Sequence, residues 1–323
     1  MNKTGDKRRA SKLSVWTCQV YRVSDGFVIE GVIVKGRPQL VRDDESAVRS
    51  FFKIIRNYFK RPAKFLKIEL VVSGDAQELI TDDHGRVEHF FPKDQIGDDI
   101  QFLLGGNTIE ILNYHVPAWN ELFLKSHTVV ISDIDDTILV SHSAKIFSRL
   151  WQMLAKPAHR RKVVPESEKA YHLIGDANVP VAYVSASEFN LFLILKKFFH
   201  FQGLPGGPLL LRPYAHWSEL LSKQGRGEYK LLRISNLIDR IENGSIILIG
   251  DDSQSDPQIF LELSQKYSAV KSVYIRQTAG EKKEEIVNLT AELDSSISAH
   301  YYSKFSDIES SINKAIHENT SRR

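Results

Sequence analysis

From Thr128 onward the sequence alternates short apolar runs with segments of helical periodicity, and no other feature limits the fold as strongly. The runs are rich in β-branched residues, as expected for strands that are buried on both faces. Strand and helix in regular alternation predict βαβ units, and therefore an α/β domain with a doubly wound parallel sheet. The predicted strands are 128–135, 179–185, 207–212, 245–250 and 269–276, and the predicted helices are 142–154, 186–199, 229–241 and 257–267.

The first part of the chain, from about Val15 to Val130, has a different pattern. Runs such as TCQVYRV, GFVIEGVIV and FLKIELVVS alternate roughly between apolar and polar residues, and turn residues separate some of them. A period of two indicates strands with one buried face. We therefore predict a β-rich domain, most simply a sandwich, with one helix at 46–59 that ends before Pro62. The predicted boundaries are 1–125 for this domain, 126–280 for the α/β domain and 281–323 for a helical tail.

Composition excludes several classes of protein. The chain has 43 Lys and Arg against 40 Asp and Glu, so its formal charge of +3 is too small to hold it on nucleic acid by electrostatics. The single cysteine, Cys18, can form neither an internal disulfide nor a thiolate metal site, which indicates a reducing compartment. No apolar run approaches the roughly 18 to 20 residues that a membrane-spanning helix needs. We expect a cytoplasmic protein without a nucleic-acid partner.

Acidic residues directly follow two of the predicted strands. In an open parallel sheet, ligands bind beyond the carboxyl ends of the strands, so we expect the two acidic clusters to converge. Carboxylates this close repel one another unless water or a cation compensates them, and a hard divalent ion such as Mg²⁺ prefers oxygen ligands. The residues are Asp133, Asp135, Asp136 and Thr137 after the first strand, and Asp251, Asp252 and Asp256 after the fourth.

Two further segments offer donors to an anion. The strand VPVAYV ends in Ser185 and Ala186, which present a hydroxyl and backbone amides. Lys230 begins the helix before the second acidic strand, with Lys223 as its rival. A phosphoryl group beside Mg²⁺ needs such donors. Each feature alone fits a turn, a helix cap or a solvated cation, but their order along the chain favours a site.

The ordered pieces read Asp-x-Asp-x-Thr, a strand that ends in Ser, a helical Lys, and Gly-Asp-x4-Asp. This order resembles the four motifs of the haloacid dehalogenase superfamily of phosphohydrolases. The resemblance implies that Asp133 is the nucleophile and that Asp135 is the general acid and base. It also implies that Asp251, with Asp133 and the Asp135 backbone carbonyl, binds the metal. Supporting roles fall to Thr137, Asp252 and Asp256, and phosphate binding falls to Ser185, Ala186 and Lys230.

A narrower resemblance extends from about Ser126 to Arg276, over SDIDDTI, YVSASEFNLFLILKKFF, GLPGGPLLLR, EYKLLRI, IILIGDDSQSDPQIF and VYIR. These segments resemble the catalytic domain of the actin-patch-associated phosphatidate phosphatases of fungi and their bacterial relatives. The β-rich part, with IRNYFKRP and TDDHGRVEHF, is similar to the amino-terminal domain of the bacterial members. Two positions depart from the family pattern: Glu188 and Phe189 replace a common Pro-Trp, and Asp252 replaces a common Ser.

The resemblance implies Mg²⁺-dependent hydrolysis of phosphatidate, or of a related phosphomonoester, through an aspartyl-phosphate. Asp133 would attack phosphorus while Asp135 protonates the leaving alkoxide, and Asp135 would then activate water. Two alternatives stay open. A phosphatase of a soluble metabolite or phosphoprotein would use the same residues, whereas a non-catalytic lipid-binding or scaffold protein would more often have lost one of them.

The stretch from Arg49 to Lys67 is basic and contains no acid. It holds Arg49, Lys53, Arg56, Lys60, Arg61, Lys64 and Lys67, with aromatic residues between them. A basic, aromatic, amphipathic segment can lie on an anionic membrane surface, which predicts peripheral association with membranes. The alternative is a helix that packs on the sandwich and keeps its lysines in water.

Overall fold

The structure is a computed structural model that describes residues 9–40, 49, 52–53, 56–57, 60–92, 96–97, 99–134, 165–212, 226–242, 244–253, 255–278, 280–293 and 296–317. The chain divides into two compact units, and the described residues change from the first unit to the second between Pro117 and Ala118. None of the described helices is long and apolar enough to cross a bilayer.

The first unit consists of two four-stranded sheets that share one core. One sheet has the order β5 (Arg86–Phe91), β2 (Gly26–Lys35), β1 (Leu13–Val23) and β8 (Tyr114–His115). The other has the order β4 (Asp75–Ile80), β3 (Lys67–Val72), β6 (Ile100–Leu104) and β7 (Asn107–Ile109). Residues such as Ile29 and Ile33 from one sheet, and Leu70 and Phe102 from the other, belong to the same buried cluster. The prediction of a β-rich sandwich is thus confirmed.

A buried acidic side chain lies in the first of these sheets. Glu30 on β2 is fully buried, and its carboxylate accepts a 2.7 Å hydrogen bond from Gln19 Nε2. The same carboxylate pairs with the guanidinium of Arg86, which also pairs with Glu88. Charge at a fully buried position is tolerated only when it is paired in this way.

Replacement of Glu30 by Ala should therefore lower the free energy of unfolding by about 3 kcal/mol or more, because it leaves Arg86 and Gln19 short of a buried acceptor. Urea unfolding of the full chain measures this change. Glu110→Ala is the matched control, since Glu110 pairs with Arg37 at 2.7 Å on the surface. An exposed ion pair is worth about 1 kcal/mol at most. Equal losses in the two variants would contradict the prediction.

The second unit has a six-stranded, entirely parallel sheet. Its strands lie in the order β11 (Leu209–Arg212), β10 (Val181–Glu188), β9 (Thr128–Asp133), β12 (Ser245–Asp251), β13 (Val270–Arg276) and β14 (Ser298–Tyr302). The chain moves outward from β9 through β10 to β11, returns to the other side of β9, and continues outward from β12. This is the doubly wound order, so the predicted α/β fold is confirmed. All five predicted strands are present, as β9 to β13.

Most described helices of this unit lie between its strands, but the first precedes β9 and the last follows the sheet. The predicted helices at 229–241 and 257–267 correspond to α4 (Arg226–Ile238) and α5 (Asp256–Lys266). The helix predicted at 186–199 begins only at Phe192, as α3 (Phe192–Phe201), and residues 186–188 continue the strand β10 instead. The predicted helix at 142–154 lies outside the described residues. The helix α2 has no counterpart in the sequence-based prediction. The bounds are α1 (Trp119–Lys125), α2 (Pro165–Asp176), α3 (Phe192–Phe201), α4 (Arg226–Ile238), α5 (Asp256–Lys266), α6 (Glu284–Ala291) and α7 (Glu309–His317), with short 3-10 turns at Phe189–Leu191 and Phe305–Asp307.

The segment after residue 280, for which the sequence predicts a helical tail, contains a strand as well as helices. The strand β14 (Ser298–Tyr302) pairs in parallel with β13, from Ser272 opposite Ser298 to Arg276 opposite Tyr302. The sequence does not predict this strand, because SAHYY contains no apolar run. Three of its five residues are only partly buried. Residues 280–317 thus complete the sheet of the second unit.

Candidate active site

Three buried carboxylates meet where the strand order of the second unit reverses. Asp133 is the last residue of β9 and Asp251 the last residue of the neighbouring β12, while Asp256 is the first residue of α5. One carboxylate oxygen of each lies within 4.8 Å of those of the other two. The sequence places acids at these two strand ends, and the topology brings the ends together at the switch point.

Lys230 joins this cluster from α4. Its Nζ lies 2.7 Å from Asp133 Oδ1 and also donates to Asp256 Oδ1. Burial disfavours the charged form of Lys230, but the carboxylates of Asp133 and Asp256 outweigh that penalty and raise the pKa of the ammonium. Lys230 thus keeps a fixed positive charge beside the carboxylate of Asp133. Its rival Lys223 lies outside the described residues.

The turn after β12 holds Asp251 and Asp256 through backbone contacts. The amide of Ser253 donates to Asp251 Oδ1 at 2.6 Å, and the amide of Asp251 reaches Asp256 Oδ2 at 3.4 Å. Gly250 makes this approach feasible, because a Cβ there would come within 2.8 Å of the Phe260 ring and would collide with the Asp256 carboxylate. A glycine before the acids is therefore a packing requirement of the site.

The predicted phosphate donors Ser185 and Ala186 lie on β10, next to β9. Val184 pairs with Asp133 across the two strands, so Ser185 follows directly after that register position. Ser185 is fully buried. Ser132 fixes the strand end that carries Asp133. Its hydroxyl donates to the Asp133 carbonyl oxygen at 2.8 Å and also contacts the Tyr171 hydroxyl.

Three predicted residues of the first acidic motif, Asp135, Asp136 and Thr137, lie outside the described residues. Their assigned roles stay predictions from the motif. The described part of the site therefore consists of Asp133, Ser185, Lys230, and the turn from Asp251 to Asp256. The prediction that the strand ends at Ser185 is wrong, since β10 continues to Glu188.

Asp252 does not join the carboxylate cluster. Its Oδ1 accepts hydrogen bonds from the amide of Thr278, at 2.9 Å, and from the Thr278 hydroxyl. Its Oδ2 accepts the hydroxyl proton of Tyr301 at 2.7 Å and lies 3.8 Å from Lys283 Nζ. Burial and the bond to Asp252 raise the pKa of Tyr301 to about 12. Asp252 thus contacts β14 and the segment after β13.

Sequence reasoning missed Thr278, Lys283 and Tyr301. Thr278 had a usable signal, since it follows a predicted strand just as the acids do. Tyr301 had none, because its strand was not predicted, and Lys283 lies in a mixed-charge stretch without periodicity.

The carboxylate cluster fits a hard divalent cation. Three buried carboxylates face one ammonium, which leaves a net charge of −2 when all four groups are ionised. The donors are oxygens only, with no thiolate or imidazole among them, as Mg²⁺ prefers. A divalent ion would therefore balance the charge that Lys230 leaves uncompensated.

Residues 128–277 match the family model described as phosphatidate phosphatase APP1, catalytic domain. No curated protein matches the chain. A putative HAD-like phosphatase of Mesorhizobium loti is 13% identical, covers 61% of this chain and 88% of its own, and has a TM-score of 0.40. The cobalt-bound deoxy-D-mannose-octulosonate 8-phosphate phosphatase of Haemophilus influenzae is 14% identical, with 61% and 93% covered and a TM-score of 0.33. The family match confirms the resemblance that the motifs indicate.

Proposed function

We propose that this protein is a Mg²⁺-dependent phosphatase that acts on phosphatidate, on the premise that residues 128–277 are a haloacid dehalogenase-like phosphatase domain resembling the phosphatidate phosphatase APP1 family. The observation that carries the chemistry is the contact of Lys230 with Asp133 and Asp256 at the switch point of the sheet. In this buried cluster Asp133 can serve as a nucleophile. Lys230 lies between Asp133 and Asp256 and provides a fixed positive charge beside it.

Asp133 is the proposed nucleophile. Its carboxylate oxygen forms a bond to phosphorus while the bond from phosphorus to the substrate oxygen breaks, and Asp135 gives its proton to the departing alkoxide. Asp135 then takes a proton from water, which attacks phosphorus, releases phosphate and restores the Asp133 carboxylate. Lys230 stays protonated throughout because its pKa is raised, so it can hold a phosphoryl oxygen beside Asp133.

The proposed metal ligands are Asp133, Asp251 and the backbone carbonyl of Asp135. Bound Mg²⁺ supplies positive charge that offsets the repulsion between the attacking carboxylate and the phosphoryl oxygens. Ser185 and the amide of Ala186 are the proposed donors to the remaining phosphoryl oxygens. Asp256 supports the site by holding Lys230 in place.

The basic segment of the first unit supports a membrane-borne substrate. Its residues 49, 52–53 and 56–57 are helical. Asn57 faces inward and bonds the backbone of Gln39 at 2.8 and 2.9 Å, whereas Phe52 and Phe65 are 65% and 71% exposed. Exposed aromatic rings beside exposed cations are typical of surfaces that bind anionic lipid. We therefore propose that the segment places the protein on phosphatidate-containing membranes.

An assay of the purified full chain tests the proposed substrate class. Phosphatidate in mixed micelles is compared with a panel of soluble phosphomonoesters, each with and without Mg²⁺. We expect phosphatidate to give the highest kcat/KM. Higher kcat/KM on a soluble substrate would reject the lipid assignment and keep the phosphatase, whereas no hydrolysis of any phosphomonoester would reject both.

Binding to liposomes tests the membrane contact. Each basic side chain near an anionic surface contributes about 1 kcal/mol and is screened within about 10 Å at moderate salt. The protein should therefore sediment with vesicles that contain phosphatidate, dissociate as salt rises, and bind neutral vesicles poorly. Charge reversal at Arg56, Lys60 and Lys64 together should lower activity on phosphatidate in vesicles about tenfold or more while sparing a soluble phosphomonoester.

Charge reversal at Lys169, Lys271 and Lys314 is the matched control, because these lysines are exposed in the second unit. It makes the same change in net charge without touching the basic segment. Equal losses on both substrates in the first variant would indicate a structural role for the segment, and unchanged activity on both would remove it from the mechanism.

A further inference from the structure

Asp251 and Asp252 are consecutive residues that contact different parts of the second unit. Asp251 belongs to the carboxylate cluster, whereas the side chain of Asp252 accepts hydrogen bonds from Thr278 and Tyr301 and forms an ion pair with Lys283. Successive side chains at a strand end point to opposite faces, which explains the division. Asp252 is only 3% exposed, so its charge must be compensated locally.

The groups around Asp252 form a closed ring of hydrogen bonds. Tyr301 donates its hydroxyl proton to Asp252 Oδ2 and accepts the Lys283 amide at 3.2 Å, while Lys283 Nζ donates to the Asp252 carbonyl oxygen. The ammonium also lies 3.8 Å from Asp252 Oδ2. Two of the three members therefore come from the segment beyond residue 280, which lies outside the family match at 128–277.

The sheet fixes the position of this ring. Tyr301 pairs with Ile275 in the parallel register of β13 and β14, and the Gln277 amide donates to the Tyr302 carbonyl oxygen at 2.7 Å. On its other side, the Asp252 amide donates to the Arg276 carbonyl oxygen at 3.1 Å. These contacts connect the backbone that carries Asp251 to β13 and β14.

We propose that Tyr301 and Lys283 are positioning residues of the phosphatase site, which act through Asp252 to hold the Asp251 turn in the geometry that binds the divalent ion. This inference rests on the proposed function of the site. Contacts behind a metal ligand typically change metal affinity or activity by about 10- to 100-fold. Tyr301 and Lys283 act on Asp251 only through the peptide unit that joins it to Asp252. We therefore expect a loss of Mg²⁺ affinity of about tenfold, at the lower end of that range.

The test measures Mg²⁺ affinity by calorimetric titration of the full chain without substrate, together with its melting temperature. Tyr301→Phe and Lys283→Gln should each weaken Mg²⁺ binding about tenfold, and Tyr301→Phe should add less than twofold in an Asp252→Asn background. Tyr274→Phe is the matched control, because its hydroxyl contacts Ser311 at 3.0 Å away from Asp252. The control should bind Mg²⁺ within about twofold of wild type.

Lys283 is half exposed, so Lys283→Gln keeps the test valid if Tyr301→Phe melts early. Wild-type affinity in both Tyr301→Phe and Lys283→Gln would overturn the inference, as would an equal loss in Tyr274→Phe. A wild type that binds Mg²⁺ but hydrolyses no phosphomonoester would overturn the proposed function alone. A wild type that binds no Mg²⁺ would overturn both.

Discussion

Asp133→Asn should abolish turnover, with a loss of about 10³-fold or more in kcat, because an amide cannot form the bond to phosphorus that a carboxylate forms. The fold should survive the change. Lys230 keeps its contact with Asp256, and the neutral amide removes repulsion from Asp251 and Asp256. We therefore expect the melting temperature of the metal-free variant to equal or exceed that of wild type.

Single-turnover kinetics on a soluble phosphomonoester measure this loss, and thermal melting measures the stability. Asp176→Asn is the matched control, since Asp176 is an exposed residue at the end of α2 and makes the same chemical change away from the cluster. Activity of Asp133→Asn within about tenfold of wild type would remove Asp133 from the nucleophile role. A collapse in melting temperature would instead show that the carboxylate holds the fold together.

The α/β fold and the two acidic strand ends could be predicted from the sequence because both depend on local patterns. Apolar runs such as SIILI mark buried strands, and acids directly after them stand out against that background. One topological rule then brings Asp133 and Asp251 together, since parallel strands end at the same edge. The sandwich of the first unit was predictable for the same reason, from alternation in runs such as TCQVYRV.

Features that depend on contacts between distant segments were not predictable. Glu30 interrupts an apolar strand, and only its pairing with Arg86 on β5 explains why it is buried there. The edge strand β14 has partly exposed residues and no apolar run, so the contact of Tyr301 with Asp252 has no trace in the sequence. The motif resemblance assigns Asp251 to the metal and Asp252 to a supporting role, but it does not say what Asp252 contacts. The alternation of side chains at the strand end explains why Asp252 instead bonds Thr278 and Tyr301.

Chelation of divalent ions should stop the reaction, and added Mg²⁺ should restore it, because the cluster carries three carboxylates against one ammonium. Asp251→Asn should weaken Mg²⁺ binding by about 100-fold or more, since it replaces a charged carboxylate that contacts the ion directly with a neutral amide. Asp252→Asn should weaken it about tenfold, because Asp252 acts only on the position of the turn. Calorimetric titration without substrate separates these two effects from any effect on catalysis.

The order of the two losses is the decisive result, because both substitutions remove one negative charge from adjacent residues of the same turn. A general electrostatic effect of net charge would therefore weaken Mg²⁺ binding equally in Asp251→Asn and Asp252→Asn. A larger loss in Asp252→Asn would mean that the carboxylate bonded to Tyr301 and Thr278 turns toward the metal when the ion binds. Only a much larger loss in Asp251→Asn agrees with a site in which Asp251 contacts the ion and Asp252 acts on the position of the turn.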